Sequence, residues 1–147
     1  MPQVTTNGQI QNLTDSDLNH VISKDWQGHV VEQYISPILP KSTVPFQHVG
    51  NQNAGSEAAV VYRIKNKENK NYIAIVAWSN DSNSPKKVYT LVAVPPTSYT
   101  EDYWRVISDD LHNSSNSSFS ILDGCTSKVQ IGDGDSPPLS AAISYAD

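Results

Sequence analysis

Six consecutive residues, Ile73, Ala74, Ile75, Val76, Ala77 and Trp78, carry neither a charge nor a small polar side chain. A strand with one wet face alternates apolar and polar residues, so an unbroken apolar run demands cover on both faces, as in the middle of a sandwich or barrel. A membrane-spanning helix would need about 20 such residues, and the chain has no run of that length. Two further apolar, β-branched and aromatic runs flank this one, EAAVVYRIK and KKVYTLVAV, each bounded by Asn, Asp, Ser, Lys or Pro. Residues 58–64, 72–79 and 87–94 therefore read as a meander of three antiparallel strands, and a fourth is expected to start at Tyr103 and run through Ile107.

With 147 residues there is room for one core, and a single domain over 1–147 is expected. A composition that is 37% hydrophobic but only 17% charged, and rich in Ser, Asn, Thr and Pro, suits many turns better than a helical bundle. The fold class is all-β: an antiparallel β-sandwich with one or two short helices. The net charge of −5 offers no field for nucleic acid, so none is expected as a partner. Lys65, Lys67, Lys70 and the pair Lys86–Lys87 read as solvated turns. A lone cysteine, Cys125, excludes an intrachain disulfide and reads as a buried spectator.

The opening MPQVTTNGQI has neither a basic stretch nor an apolar one, so no secretory signal is expected. That leaves a secreted mature form, or a cytoplasmic store acting on extracellular targets. Glycosylation sequons at Asn12, Asn80, Asn113 and Asn116 would be used only on a secretory route.

Residues 1–12 read as a flexible arm or a short edge strand. Thr14, Asp15, Ser16 and Asp17 can cap a helix whose apolar positions are Leu18, Val21 and Ile22, so a short helix is expected over 14–24. Residues 26–35 read as a strand with Gly28 as a bulge. Pro37, Pro40 and Pro45 make the next stretch an extended edge connector, and the amide-rich 48–56 a loop. Residues 108–120, crowded with Ser and Asn, read as a mobile surface loop. A turn at 132–138 precedes a last alternating strand, LSAAISYA.

Histidines His20, His29, His48 and His112 have no metal-ligand spacing, and no metal or other cofactor is expected. Asp133-Gly134-Asp135 reads as an ordinary turn rather than a calcium loop, since the rest of that loop's spacing is missing. Nucleophile elbows, Walker loops and dinucleotide-binding glycine patterns are absent, so an enzyme is the weaker hypothesis. The grouped aromatics Tyr99, Tyr103 and Trp104, just past Pro95–Pro96, are the unusual feature. Rings on a loop offer apolar faces with a polar handle and attract quaternary ammonium, which suits a glycan, a choline group or a membrane interface. The same rings could instead plug one end of the sandwich. Trp26 and Trp78 read as core.

The order of these pieces resembles the actinoporin-like cytolysin and fungal fruit-body lectin β-sandwich superfamily. The resemblance rests on Trp26 followed by Tyr34, on Leu39-Pro40 and Val44-Pro45, on Ala59-Val60-Val61-Tyr62 and on Val76-Ala77-Trp78-Ser79. Ala93-Val94-Pro95 with Tyr99 and Tyr103-Trp104-Arg105-Val106 completes it. It implies a non-enzymatic protein that recognises a phosphocholine-like lipid headgroup or a glycan, with cytolysis and assembly into a membrane oligomer as further family traits. The positions matching the family's headgroup site are Ser36, Pro95, Tyr99 and Tyr103, to which the aromatic grouping adds Trp104. Ala93 stands where the family has serine, and residues 111–119 lack its second tyrosine cluster. A protein-interaction or inhibitor module with no lipid or glycan ligand is the alternative.

Overall fold

The computed structural model describes residues 4–51, 55–81, 84–134 and 136–145. Part of the amide-rich loop, residues 52–54, and Asp135 of the aspartate turn lie outside them. Among the described residues ten strands form two sheets. Strands β1 (Thr5–Asn12), β3 (His29–Val30), β4 (Thr43–Val49), β8 (Ser117–Leu122), β9 (Cys125–Ile131) and β10 (Pro138–Tyr145) make a six-stranded sheet in the order β3-β4-β1-β10-β9-β8. Strands β2 (Asn19–Gln27), β5 (Ser56–Lys65), β6 (Asn71–Asn80) and β7 (Lys87–Ala93) make the other, in the order β2-β5-β6-β7. Pairing is antiparallel except between β1 and β10. One helix, α1 (Glu101–His112), follows β7.

The apolar run in β6 is covered on both sides, as its composition requires. Tyr72, Ala74, Val76 and Trp78 point between the sheets, where Ile10, Phe46, Val129, Leu139 and Ile143 meet them. Ile73, Ile75 and Ala77 point the other way, onto Trp104, Ile107 and Leu111 of α1. The meander β5-β6-β7 matches the expected strands to within two residues at each end.

Five local expectations are overturned. The strand at Tyr103 is the first turn of α1. Residues 14–24 are not helical: Asn12 holds them as a turn, its Oδ1 accepting from Thr14 N at 2.9 Å and its Nδ2 donating to the carbonyls of Ser16 (2.8 Å) and Ile38 (2.9 Å). Side-chain bonds of this kind compete with helix formation, and β2 follows with two register shifts against β5. The strand expected over 26–35 breaks at Gly28, whose φ is +89° and whose missing Cβ would lie 2.3 Å from the Val49 carbonyl oxygen. The amino-terminal segment is no arm: β1 sits between β4 and β10. Pro45, expected in a connector, lies within β4, beyond Val49 and His48, which pair with β3, and Gln47, whose carbonyl accepts the Val31 N–H at 2.9 Å.

The serine-rich segment 108–120 is also ordered, as the end of α1, a turn and the start of β8. Its composition has a use at the seam between the sheets. Val88 N–H donates to the Ser115 carbonyl (2.8 Å), and Thr90 and Val92 N–H donate to the hydroxyls of Ser118 (3.1 Å) and Ser120 (2.9 Å). Side chains thus complete the bonding of the β7 edge where no backbone ladder forms. Of the sequon asparagines, Asn12 and Asn80 are buried while Asn113 and Asn116 are exposed.

Gly8 on β1 faces inward beneath Phe46, where an added Cβ would fall 2.0 Å from the ring. Phe46 has little room to retreat, since its ring centre lies 4.8 Å from that of Trp78 and 5.6 Å from that of Tyr34. Gly8→Ala is therefore expected to destabilise the fold by about 2 kcal/mol through overpacking. Urea titration should show a lower midpoint with an unchanged slope, and an unshifted midpoint would mean that the core yields more easily than this packing implies.

Candidate functional site

The aromatic group is organised by the start of α1. Thr100, in extended conformation, accepts the Tyr103 N–H on its side-chain oxygen at 3.1 Å, and Glu101 and Asp102 place negative charge in the first turn. Trp104, Ile107 and Leu111 then recur at helical spacing on the face that packs against the four-stranded sheet. Burying each contributes about 2 kcal/mol. The Asp102–Arg105 ion pair (2.8 Å) is exposed on both sides and adds little. At the other end, Lys87 Nζ donates to the His112 carbonyl at 2.7 Å and His112 Nε2 lies 3.0 Å from Glu57, fixing the helix across the sheet.

Trp104 is only 6% exposed. Tyr99 stacks on it with ring centres 5.9 Å apart, and Tyr103 meets both rings edge-on, at 5.4 Å from Tyr99 and 5.9 Å from Trp104. Trp26 of β2 completes the group, edge-on to Trp104 at 6.2 Å. Tyr99 and Tyr103 are half-buried, and burial raises the pKa of both hydroxyls. Tyr89, on the neighbouring β7, has its hydroxyl pushed up to about 12 by burial and by Asp110. Pro95 is half-buried in the segment linking β7 to these rings.

Four of the five residues singled out in the sequence thus occupy one segment, Pro95 at its start and Tyr99, Tyr103 and Trp104 in contact with one another. Ser36 stands apart. It is exposed beside the cis Ser36–Pro37 bond, and its hydroxyl accepts the backbone N–H of His20 on β2 at 2.9 Å. His20 lies near the start of β2 and Trp26 near its end, roughly 20 Å apart along the strand. Near Ser36, His20 Nε2 and the Tyr34 hydroxyl are buried without a hydrogen-bond partner. A groove of about 270 Å³ runs beside the rings between Lys24 and Trp26 on β2 and Glu101, Trp104, Arg105 and Ser108 on α1.

One constellation has the components of an acyl-transfer triad: His48 bonds Ser56 Oγ through Nδ1 at 2.7 Å and Asp25 through Nε2 at 2.8 Å. Ser56 is fully buried and its oxygen also contacts Thr6 Oγ1 (2.9 Å) and accepts the Trp78 indole N–H (3.2 Å). No substrate can reach it, so the network is structural. Cys125 is buried, which raises its pKa and keeps it a thiol. Among the described residues no three His, Cys, Asp or Glu side chains gather in a way that could hold a metal ion, and no helix is long and apolar enough to cross a membrane.

A family model described as Nakanori-like protein matches residues 3–146. Among solved structures, the crystal structure of the lipid binding protein Nakanori is similar to this chain, with a TM-score of 0.75 at 15% sequence identity, covering 97% of this chain and 71% of that one. No curated protein matches the sequence.

Proposed function

The chain belongs to the Nakanori-like protein family, and from that premise we propose that it is a non-enzymatic binding protein for membrane lipid, with its headgroup site at the junction of β7 and α1. The observation that carries this reading is the contiguous set of rings, in which buried Trp104 holds half-exposed Tyr99 and Tyr103 in fixed orientation. Preorganised tyrosines bind a quaternary ammonium through their faces and a phosphate through their hydroxyls. The hydroxyls are protonated donors at neutral pH, as for any tyrosine, and burial moves their pKa further up. Pro95 shapes the approach to the rings, and Ser36 belongs to a separate contact at the other end of β2. The solved structure similar to this chain is that of a lipid-binding protein, which supports the class of ligand.

Tyr99→Ala and Tyr103→Ala, singly, are expected to weaken co-sedimentation with phosphatidylcholine and sphingomyelin vesicles by about tenfold each, the loss of one desolvated cation–π contact. Circular dichroism should be unchanged, because Trp104 and not the tyrosines anchors the helix. Full vesicle binding by both variants would place the headgroup elsewhere. Failure of the unaltered protein to bind any vesicle would favour a protein-interaction module. Dye release from the same vesicles separates binding from cytolysis, and binding without release is the expected result.

A further inference from the structure

The outer face of the six-stranded sheet, remote from α1, has a composition unusual for a solvated strand surface. Residues on one face of neighbouring strands line up in rows, and the pairing registers give those rows directly. One row crosses the sheet as Thr43, Gln11, Ala142, Lys128 and Phe119. The next crosses as Pro45, Gln9, Ser140, Gln130 and Ser117. Water-facing sheet positions commonly carry charges of both signs. Here the two rows hold amides, hydroxyls and small residues, with no carboxylate and Lys128 as their one charge.

The face is also hollow. A trough of about 860 Å³ lies over both rows, and a second hollow of about 540 Å³ adjoins it and shares Gln9 and Ser140 with it. The first volume falls within the range of ligand sites, about 300–1,000 Å³. From β4 to β8 the floor is roughly 19 Å wide, long enough for an extended ligand. At the far end stands Phe119, 59% exposed on the edge strand, with Lys128 Nζ 5.9 Å from its ring centre. An aromatic ring held that open on a β-strand has no packing role in this fold.

We propose that this trough is a binding site for a neutral oligosaccharide. A glutamine amide presents a donor and an acceptor side by side, which matches a pair of neighbouring sugar hydroxyls, and Gln9, Gln11 and Gln130 supply three such pairs on one floor. Ser117, Ser140 and Thr43 add groups that donate or accept as the ligand requires. Ala142 keeps the middle of the floor low enough for a ring to lie across it. Phe119 offers an apolar face to the C–H side of a terminal sugar. Neutrality follows from the charges of the trough: a polyanion would meet one lysine already engaged over a ring, and a cation would find no carboxylate along its lining, Glu32 standing in the adjoining hollow. Phe119 is the one large apolar side chain on these rows, and Val31, Ile35 and Phe46 line the adjoining hollow instead, so the trough itself offers an acyl chain little apolar floor. The site is independent of the lipid reading and lies on the opposite sheet.

The test is saturation-transfer NMR and calorimetric titration with neutral tetrasaccharides of the cello, laminari, chito and lacto series. The unaltered protein is expected to bind at least one series, and Phe119→Ala and Gln130→Ala are each expected to weaken that binding about tenfold. Both side chains are exposed, so the fold is kept, and circular dichroism verifies it. Val106→Ser, on the exposed face of α1, is expected to leave sugar binding unaltered. Absence of transfer and heat with all four series would overturn the proposal, as would unchanged affinity in both trough variants. Binding confined to sulfated oligosaccharides and lost in Lys128→Gln would overturn the neutral assignment.

Discussion

Trp78→Ala is expected to cost about 4 kcal/mol of unfolding free energy, in the range found for deleting a large buried aromatic. Trp78 is fully buried between the sheets, 4.8 Å from Phe46 and 5.5 Å from His48 by ring centres, and its indole N–H donates to Ser56. The substitution removes packing on two aromatic neighbours and one hydrogen bond together. Since a domain of this size is stable by about 5–15 kcal/mol, the variant should be close to unfolding at ambient temperature. Trp78→Phe retains most of the contact and should lose about half as much. A chemical denaturation loss under about 1 kcal/mol for the alanine variant would show that Trp78 does not hold the sheets together.

His48→Ala is expected to cost about 3 kcal/mol, because it leaves Ser56 and Asp25 without their shared partner and opens a cavity. With Asp25 as an acceptor, His48 donates through Nε2 and accepts the Ser56 hydroxyl proton at Nδ1, which requires the neutral ring. Burial lowers the His48 pKa below the ordinary 6.5, with His29 acting in the same direction, and outweighs the opposing pull of Asp25. The folded state therefore binds fewer protons at this site than the unfolded state. The neutral ring's contribution is fully present above about pH 6.5 and is lost as pH falls from there through the folded-state value. Thermal melts across that interval should show the unaltered protein losing stability with acidification, and His48→Gln, which cannot titrate, showing a shallower slope. His20, also shifted down by burial, accounts for a residual slope. Parallel slopes in the two proteins would mean that His48 is not the titrating group.

The meander was legible because an apolar run with turn residues at both ends has few other uses, and β10 was legible from its strict alternation. The errors share one cause. Leu18, Ile22 and Trp26 fit a helix as well as a strand, and Thr14 and Ser16, which resemble part of a cap, are instead bonded to Asn12, which is itself tied to the distant Ile38 carbonyl that local spacing does not reveal. In α1 the aromatic and β-branched content of YWRVI argued for a strand, yet Thr100, the two acids after it and the 104, 107, 111 spacing were all present as helix signals. Of the candidate site, the proximity of Tyr99, Tyr103 and Trp104 was readable because they are neighbours in sequence. The placing of Trp26 against Trp104, and of Ser36 beside His20 at the start of β2, depends on tertiary packing. The outer trough was readable only as scattered alternations in five strands, since nothing in the sequence states that Gln9, Gln130 and Phe119 share a surface.

The seam where Ser115, Ser118 and Ser120 meet β7 bears on how the molecule behaves when crowded. An unpaired strand margin is a template onto which another copy can add, and so a starting point for fibrils. Here the amide protons at 88, 90 and 92 are already occupied by acceptors from the same chain. Protection of this kind matters wherever the local density of the protein rises far above that in dilute solution. Short hydroxyl side chains supply it without lengthening the sheet.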